Sequence, residues 1–253
     1  MKIDLNGKTA LVTGASGELG RAIVLALAHC GADIAIHYYR SKEKAISLQE
    51  QISRIGNKSC IVQANVTKKE SVNNMKSIVE AELQAPDIIV NSAVIQYAQT
   101  EILDQSIQDY VSQFESCVLH NVLMAQIFVP SMISRGWGRV IGINTECSMQ
   151  CFSTQSAYVA GKRGMDGVLR VLAKEVGKHQ ITVNQVAPGW MISENFPEDN
   201  EETHIAYKAT VPLGRRGNEQ DVANVVAFLS SDLANFITGA CIPVCGGNVM
   251  PAI

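Results

Sequence analysis

Short apolar runs alternate along the chain with longer stretches whose apolar residues fall three or four positions apart. The short runs at residues 9–12, 34–36, 60–62, 87–90, 140–143, 181–183 and 241–244 each predict a strand. Residues 18–29 predict a helix with Ala22, Ile23, Ala26 and Leu27 on one face. Ser41 caps a second helix that runs toward Ile55 and ends at Gly56. Thr67 opens a third, with Glu70 three residues later completing a capping box. A long helical region spans about residues 107–135, broken or bent before Asn121, and residues 158–177 and 221–230 supply two more helices. Strand–helix alternation of this kind implies parallel strands joined by right-handed crossovers.

One segment breaks the rhythm. Residues 190–213 are irregular and acidic, with Glu194, Glu198, Asp199, Glu201 and Glu202, and they lie between Pro188-Gly189 and Pro212-Leu213-Gly214. The segment reads either as a lid over a site or as a solvated surface loop or helix. No repeat or linker interrupts the chain, so residues 1–253 are expected to form a single domain.

Composition narrows the function classes. Hydrophobic residues make up 47% and charged residues 18%, the balance of an ordered globular protein. The net charge of −3 argues against nucleic acid or an anionic membrane surface as partner. The start, Met1-Lys2-Ile3-Asp4-Leu5-Asn6-Gly7-Lys8, is too polar for a signal peptide, and no membrane span is expected. The seven cysteines are scattered without zinc-site spacing, and the five histidines are dispersed. Reduced thiols, a cytoplasmic location and no metal are the expectation.

Two local patterns carry chemistry. Thr13-Gly14-Ala15-Ser16-Gly17-Glu18-Leu19-Gly20 forms a glycine-rich turn between the first strand and first helix. There a pyrophosphate meets backbone N–H groups at a helix N-terminus. Tyr158 and Lys162 lie four residues apart, on one face of a helix, with the hydroxyl residue Thr145 thirteen positions before the tyrosine. An ammonium beside a phenol favours phenolate and lowers the tyrosine pKa, which suits proton transfer. Taken alone, the pair also reads as two ordinary helix residues.

These patterns occur in order with Asn91-Ser92-Ala93-Val94, Asn121, Asn184-Gln185-Val186-Ala187-Pro188-Gly189 and Pro212-Leu213-Gly214-Arg215-Arg216. In this the chain resembles the short-chain dehydrogenase/reductase family over nearly its whole length. The resemblance implies a Rossmann-type, doubly wound α/β fold with a seven-stranded parallel sheet. It implies Tyr158 as general acid/base, Lys162 as the group that depresses its pKa and holds the ribose, Thr145 as donor to the substrate carbonyl, and Asn121 as holder of a relay water. It further implies a cofactor site of Gly14, Ser16, Gly17, Glu18, Leu19, Arg40, Ser41, Asn65, Val66, Asn91, Ala93, Tyr158, Lys162, Pro188, Gly189 and Met191. Leu19 would pack under the nicotinamide, whose amide would be fixed near Val186 and Pro188. Bland readings make Asn121 a helix cap and Thr145 a strand-end hydroxyl.

Three residues depart from the family pattern: Glu18 where the middle glycine usually falls, Thr145 for serine, and Val94 for the glycine ending the Asn-Asn-Ala-Gly motif. At the end of the second strand, His37-Tyr38-Tyr39-Arg40-Ser41-Lys42 has no acid to read a ribose diol. Arg40 and Ser41 there suit a 2′-phosphate, which favours NADP(H) over NAD(H). Beside Thr145, the substrate pocket candidates are Cys147, Met149, Phe152, Gln155, Trp190, Met191 and Phe196. The pattern looks most like 3-oxoacyl-thioester reductases, with sugar or secondary-alcohol dehydrogenases as the alternative. A non-catalytic dinucleotide sensor or structural subunit is the reading from another class. Arg135, Arg139 and Lys178 are either solvated cations or a basic rim for a carrier protein. The family's usual assembly implies a homotetramer built on the helices carrying Asn121 and Tyr158.

Overall fold

The structure is a computed structural model that describes residues 2–194, 196–198 and 201–251; Asp199 of the acidic segment lies outside them. Seven parallel strands form one sheet: β1 (Thr9–Thr13), β2 (Asp33–Tyr38), β3 (Ser59–Gln63), β4 (Ile88–Asn91), β5 (Gly138–Ile143), β6 (Ile181–Pro188) and β7 (Cys241–Val244). Their spatial order is β3-β2-β1-β4-β5-β6-β7. The order reverses between β1 and β4, and their register pairs Thr13 with Asn91. The turns that leave these two strands therefore diverge and open a crevice at the carboxyl edge, where such sheets bind ligands.

The helices cover both faces. On one side pack α1 (Glu18–His29), α2 (Lys42–Ile55) and α9 (Glu219–Leu229); on the other pack α3 (Lys69–Glu82), α5 (His120–Arg135) and α7 (Ser156–Val176). Side chains alternate along each strand, so Ala10 and Val12 enter the first core and Leu11 the second. All five β1 residues are buried, which is why its run reads as continuously apolar.

Most predicted elements form within a few residues of their expected limits, and three local details differ. Ser41 precedes α2 but makes no capping hydrogen bond. The capping box at Thr67 does not form: α3 starts at Lys69, and the Thr67 hydroxyl instead donates to Asn65 Oδ1 at 2.9 Å. That short Asx contact competes locally with a helix cap. A complete box occurs at Asn218 and Asp221, at the start of α9. The acidic segment contains a helix the pattern did not predict, α8 (Glu202–Thr210). The short helix α6 (Cys147–Gln150) was likewise not predicted.

The long helix is bent where expected. Helix α4 (Ile107–Gln113) passes through a π-helical stretch, Phe114–Leu119, into α5. By length and composition Ile107–Arg135 is apolar enough to cross a membrane. Here Met124, Ile127 and Phe128 pack into the second core. Helices α5 and α7 also share an outward apolar groove of about 560 Å³, lined by Val122, Val129, Ile133, Val168 and Val171 among others. The proposed basic rim does not form. Arg139 is buried near the start of β5, bonded to Asp232, and Arg135 bonds Pro86 O and Asp87. Both belong to the edge of the sheet opposite the crevice, as does Lys178, just before β6.

Candidate active site

The glycine-rich turn is built by contacts to the two strands that flank β1. Thr13 Oγ1 donates to Val90 O at 3.3 Å and accepts from the N–H groups of Ser92 and Ala93 at 3.0 and 3.2 Å. That hydroxyl fastens the turn after β1 to the turn after β4. Gly14 has φ +67, and a Cβ there would lie 3.0 Å from Ala93 Cα, so both its conformation and its surroundings favour glycine. A Cβ on Gly20 would lie 2.2 Å from Gly14 O, so the first turn of α1 sits directly on the loop.

His37, at the end of β2, completes the support. Its Nδ1 accepts from Gly14 N–H at 2.9 Å, which makes Nε2–H the donor to Ala64 O at 3.0 Å. Burial pushes its pKa down to about 4, so the ring is neutral and this tautomer is fixed. Among the described residues, no hydrogen bond takes up the backbone N–H of Ser16, Glu18 or Leu19. Unbonded donors at the start of a helix facing a cleft fit the pyrophosphate of a dinucleotide.

The cleft measures about 890 Å³. It brings together Gly14, Ser16, Gly17, Glu18, Leu19, Arg40, Ser41, Asn65, Val66, Ala93, Thr145, Tyr158, Lys162, Pro188 and Gly189. Asn91 and Asn121 stand behind it, bonded to each other at 2.7 Å. Met191 lies apart, packed near Gly217, with its carbonyl bonded by Arg216. Of the substrate-pocket candidates only Thr145 lines the cleft. Trp190 instead packs edge-on against Phe196, His204 and Tyr207.

The reactive groups sit where β5 and α7 meet. Thr145 Oγ1 accepts from Cys147 N–H at 3.2 Å, leaving its own proton to be donated elsewhere. Tyr158 N–H, in the first turn of α7, bonds Tyr97 Oη at 2.9 Å, and a Cβ on Gly161 would lie 2.9 Å from Gln113 O, so glycine there lets α7 pack close to the end of α4. Lys162 is buried, and its ammonium donates to Ile143 O at 2.5 Å. That geometry corrects the expected pKa effect. Burial pushes the Tyr158 phenol up, neighbouring Cys147 and Cys117 add to this, and the Thr145 hydroxyl bond opposes it. Lys162 is turned to the carbonyl and does not offset burial; its own pKa is lowered by burial. The phenol is therefore protonated at neutral pH.

Asn121 is no helix cap. It is the second residue of α5, and its Nδ2 donates to Cys117 O at 2.7 Å, inside the π-helical stretch. A π turn displaces a carbonyl from the regular ladder, and here the asparagine side chain takes it. His120 beside it is buried, donates from Nδ1 to Ser116 O at 3.2 Å, and has a pKa pushed down to about 3 by burial.

Glu18 does not aim at the phosphate donors. Its carboxylate accepts from Glu194 N–H, and Glu194 in turn is bonded by Arg21 and Lys44. Arg40 lies at the other end of the cleft, its guanidinium 5.4 Å from the Tyr39 ring. Asn65 Oδ1 is occupied by the N–H and hydroxyl of Thr67. The carbonyls of Val186 and Pro188 are taken by Asn144 and Glu146 N–H groups. Sequence reading missed the supporting roles of His37 and Tyr97, because each acts on a backbone N–H distant in sequence.

Comparison with known proteins gives this arrangement its family. A family model described as Enoyl-(Acyl carrier protein) reductase matches residues 14–248. The chain is 36% identical over 245 residues to the 3-oxoacyl-[acyl-carrier-protein] reductase FabG of Staphylococcus aureus, covering 96% of this chain and 98% of that one. The chain belongs to the short-chain dehydrogenase/reductase family. The FabG reductase of Aquifex aeolicus is 35% identical over 248 residues, covering 98% and 99% of the two chains. Among solved structures, a blue fluorescent protein from a metagenomic library, in complex with NADPH, superposes with a TM-score of 0.90. It is 31% identical and covers 98% of this chain and 100% of that one. A short-chain type dehydrogenase/reductase from Mycobacterium marinum has a TM-score of 0.87 at 28% identity, with 98% coverage of both chains. The protein is thus an oxidoreductase of the short-chain dehydrogenase/reductase family, built for a nicotinamide dinucleotide.

Proposed function

We propose that the protein is an NADPH-dependent ketoreductase acting on a 3-oxoacyl-thioester-like substrate. The observation that carries this reading is the convergence on one cleft of the Thr145 and Tyr158 hydroxyls, the Lys162 side chain and the unbonded N–H groups of Ser16, Glu18 and Leu19. Arg40 and Ser41 support the 2′-phosphate, and the FabG relatives support the substrate class. Reduced nicotinamide, when bound, supplies the hydride. Thr145 directs its hydroxyl proton at the substrate carbonyl oxygen, and Tyr158 donates the proton that completes the alcohol. A phenol held protonated by burial is the form required for reduction. The FabG relatives favour this substrate class over the alternative of sugar or secondary-alcohol oxidation. The Lys162 ammonium stands 5.6 Å from the Tyr158 ring, and Asn121 would hold a water that links Lys162 to solvent and lets the proton be reloaded. Residues 190–213 act as the substrate lid. The sensor reading is motivated by Glu18 and Val94; the first motive is weakened because Glu18 is bonded by Glu194 N–H, while Val94 lines the cleft.

The location is cytoplasmic on this reading, in keeping with seven unpaired cysteines. The apolar α5–α7 groove would be covered in a homotetramer, checked by light scattering at micromolar concentration. The reading is tested by following NADPH oxidation with a 3-oxoacyl thioester. Tyr158→Phe should lower kcat by about 100- to 10,000-fold, with NADPH affinity within about twofold. Unchanged turnover in the variant, or turnover only of alcohols with NAD, overturns it.

A further inference from the structure

Glu146, the residue after Thr145, is 1% exposed. Among the described residues no lysine or arginine pairs with it. A buried carboxylate without a cation is costly, and an apolar residue would fill the space more cheaply. Its hydrogen bonds show what the carboxylate does. Oε1 accepts from Tyr207 Oη at 2.7 Å, and Oε2 accepts from Asn248 Nδ2 at 3.1 Å. Tyr207 lies on α8, and its hydroxyl also accepts from Trp190 N–H at 2.8 Å, where the chain leaves β6. Gly189 makes room for this: a Cβ there would lie 2.6 Å from Tyr207 Oη. Glu146 N–H itself bonds Pro188 O at 2.8 Å. One side chain thus joins the segment carrying Thr145, the exit of β6, α8 and the C-terminal segment.

We propose that Glu146 is a positioning residue that holds α8 and the C-terminal segment against Thr145, and thereby sets the affinity for the ketone. This rests on the reading of Thr145 as the carbonyl donor. The carboxylate does not touch the reacting atoms. It acts through Tyr207 and Asn248, whose polar atoms lose their partner when it is removed.

The test is steady-state kinetics of Glu146→Ala, Tyr207→Phe and the double variant, with hydrogen exchange over residues 202–210. Each single variant is expected to raise the ketone KM about tenfold, to change kcat less, and to leave the Kd of NADPH within about twofold. The double variant should fall well short of the sum of the two singles, because the Glu146–Tyr207 bond is cut in both. Glu146→Gln keeps an acceptor for Tyr207 and should restore KM to within about threefold of the parent. Exchange over residues 202–210 should quicken in Glu146→Ala. An unchanged KM in both single variants, additive effects in the double, or NADPH affinity falling as much as ketone affinity would overturn the proposal. Should the parent protein reduce no ketone, the functional reading fails separately. The tether is then judged on exchange alone: faster exchange in Glu146→Ala supports it and unchanged exchange overturns it.

Discussion

Mild acid should loosen this fold well above the pH at which carboxylates protonate. His37 and His120 are both buried and neutral, with pKa values pushed from the usual 6.5 down to about 4 and about 3. His37 cannot take a proton on Nδ1 without facing the Gly14 N–H with a second donor. Lys162 and, once it is protonated, His37 both oppose a positive charge on His120. A lowered folded pKa means the stabilisation is complete above pH 6.5 and is lost as the pH falls from 6.5 toward 4. In that window unfolding takes up two protons, so stability falls by about 2.7 kcal/mol per pH unit. Between pH 7 and pH 5 each histidine then removes about 2 kcal/mol and the pair about 4 kcal/mol, from a total of about 5–15 kcal/mol. Glu194 and Asp221, whose pKa values are lowered by Arg21 and Arg215, act below this window. The assay is urea unfolding at pH 7, 6 and 5, at fixed protein concentration and ionic strength. His37→Asn keeps an acceptor for Gly14 N–H but removes one titrating ring, so it should roughly halve the acid slope. Stability that is flat from pH 7 to 5, or a slope unchanged in His37→Asn, would refute the reasoning.

Gly20→Ala puts a Cβ 2.2 Å from Gly14 O and 2.8 Å from Ala15 Cα, both backbone atoms that cannot rotate away. NADPH affinity should fall at least about tenfold, and Tm by several degrees, for a strain of about 1–3 kcal/mol; calorimetric titration and a thermal melt that both match the parent would sink it. Arg40→Ala should weaken NADPH about 10- to 100-fold while NADH changes by less than about twofold, as measured by nicotinamide fluorescence. Equal losses for both cofactors would show that Arg40 does not read the 2′-phosphate.

Elements with strong local signals were legible in the chain. Helix α1 runs from Glu18 to His29 as its apolar spacing predicts, and Gly56 ends α2 with φ +103. Strand positions were equally plain, because strands covered on both faces need an unbroken apolar run. Caps were less so: Ser41 and Thr67 have capping chemistry, yet neither side chain caps its helix, and the Thr67 hydroxyl bonds Asn65 instead. Helix α8 was missed because its apolar content is modest and it is held by Trp190 and Tyr207 rather than by a broad apolar face.

The residue types and order of the site belong to the sequence, since only particular side chains donate protons, bind phosphate or tolerate φ near +67. Their protonation and orientation do not. The spacing of Tyr158 and Lys162 suggested a lowered phenol pKa, but packing buried the phenol and turned the ammonium to Ile143 O. The Glu18 carboxylate, a departure from the family pattern beside the phosphate donors, finds its partner in Glu194 N–H, which only the fold supplies. His37, Tyr97 and Glu146 acquire partners 23, 61 and 61 residues away. Side-chain chemistry is a local property, whereas desolvation and hydrogen-bond partners depend on what the whole chain packs around each group.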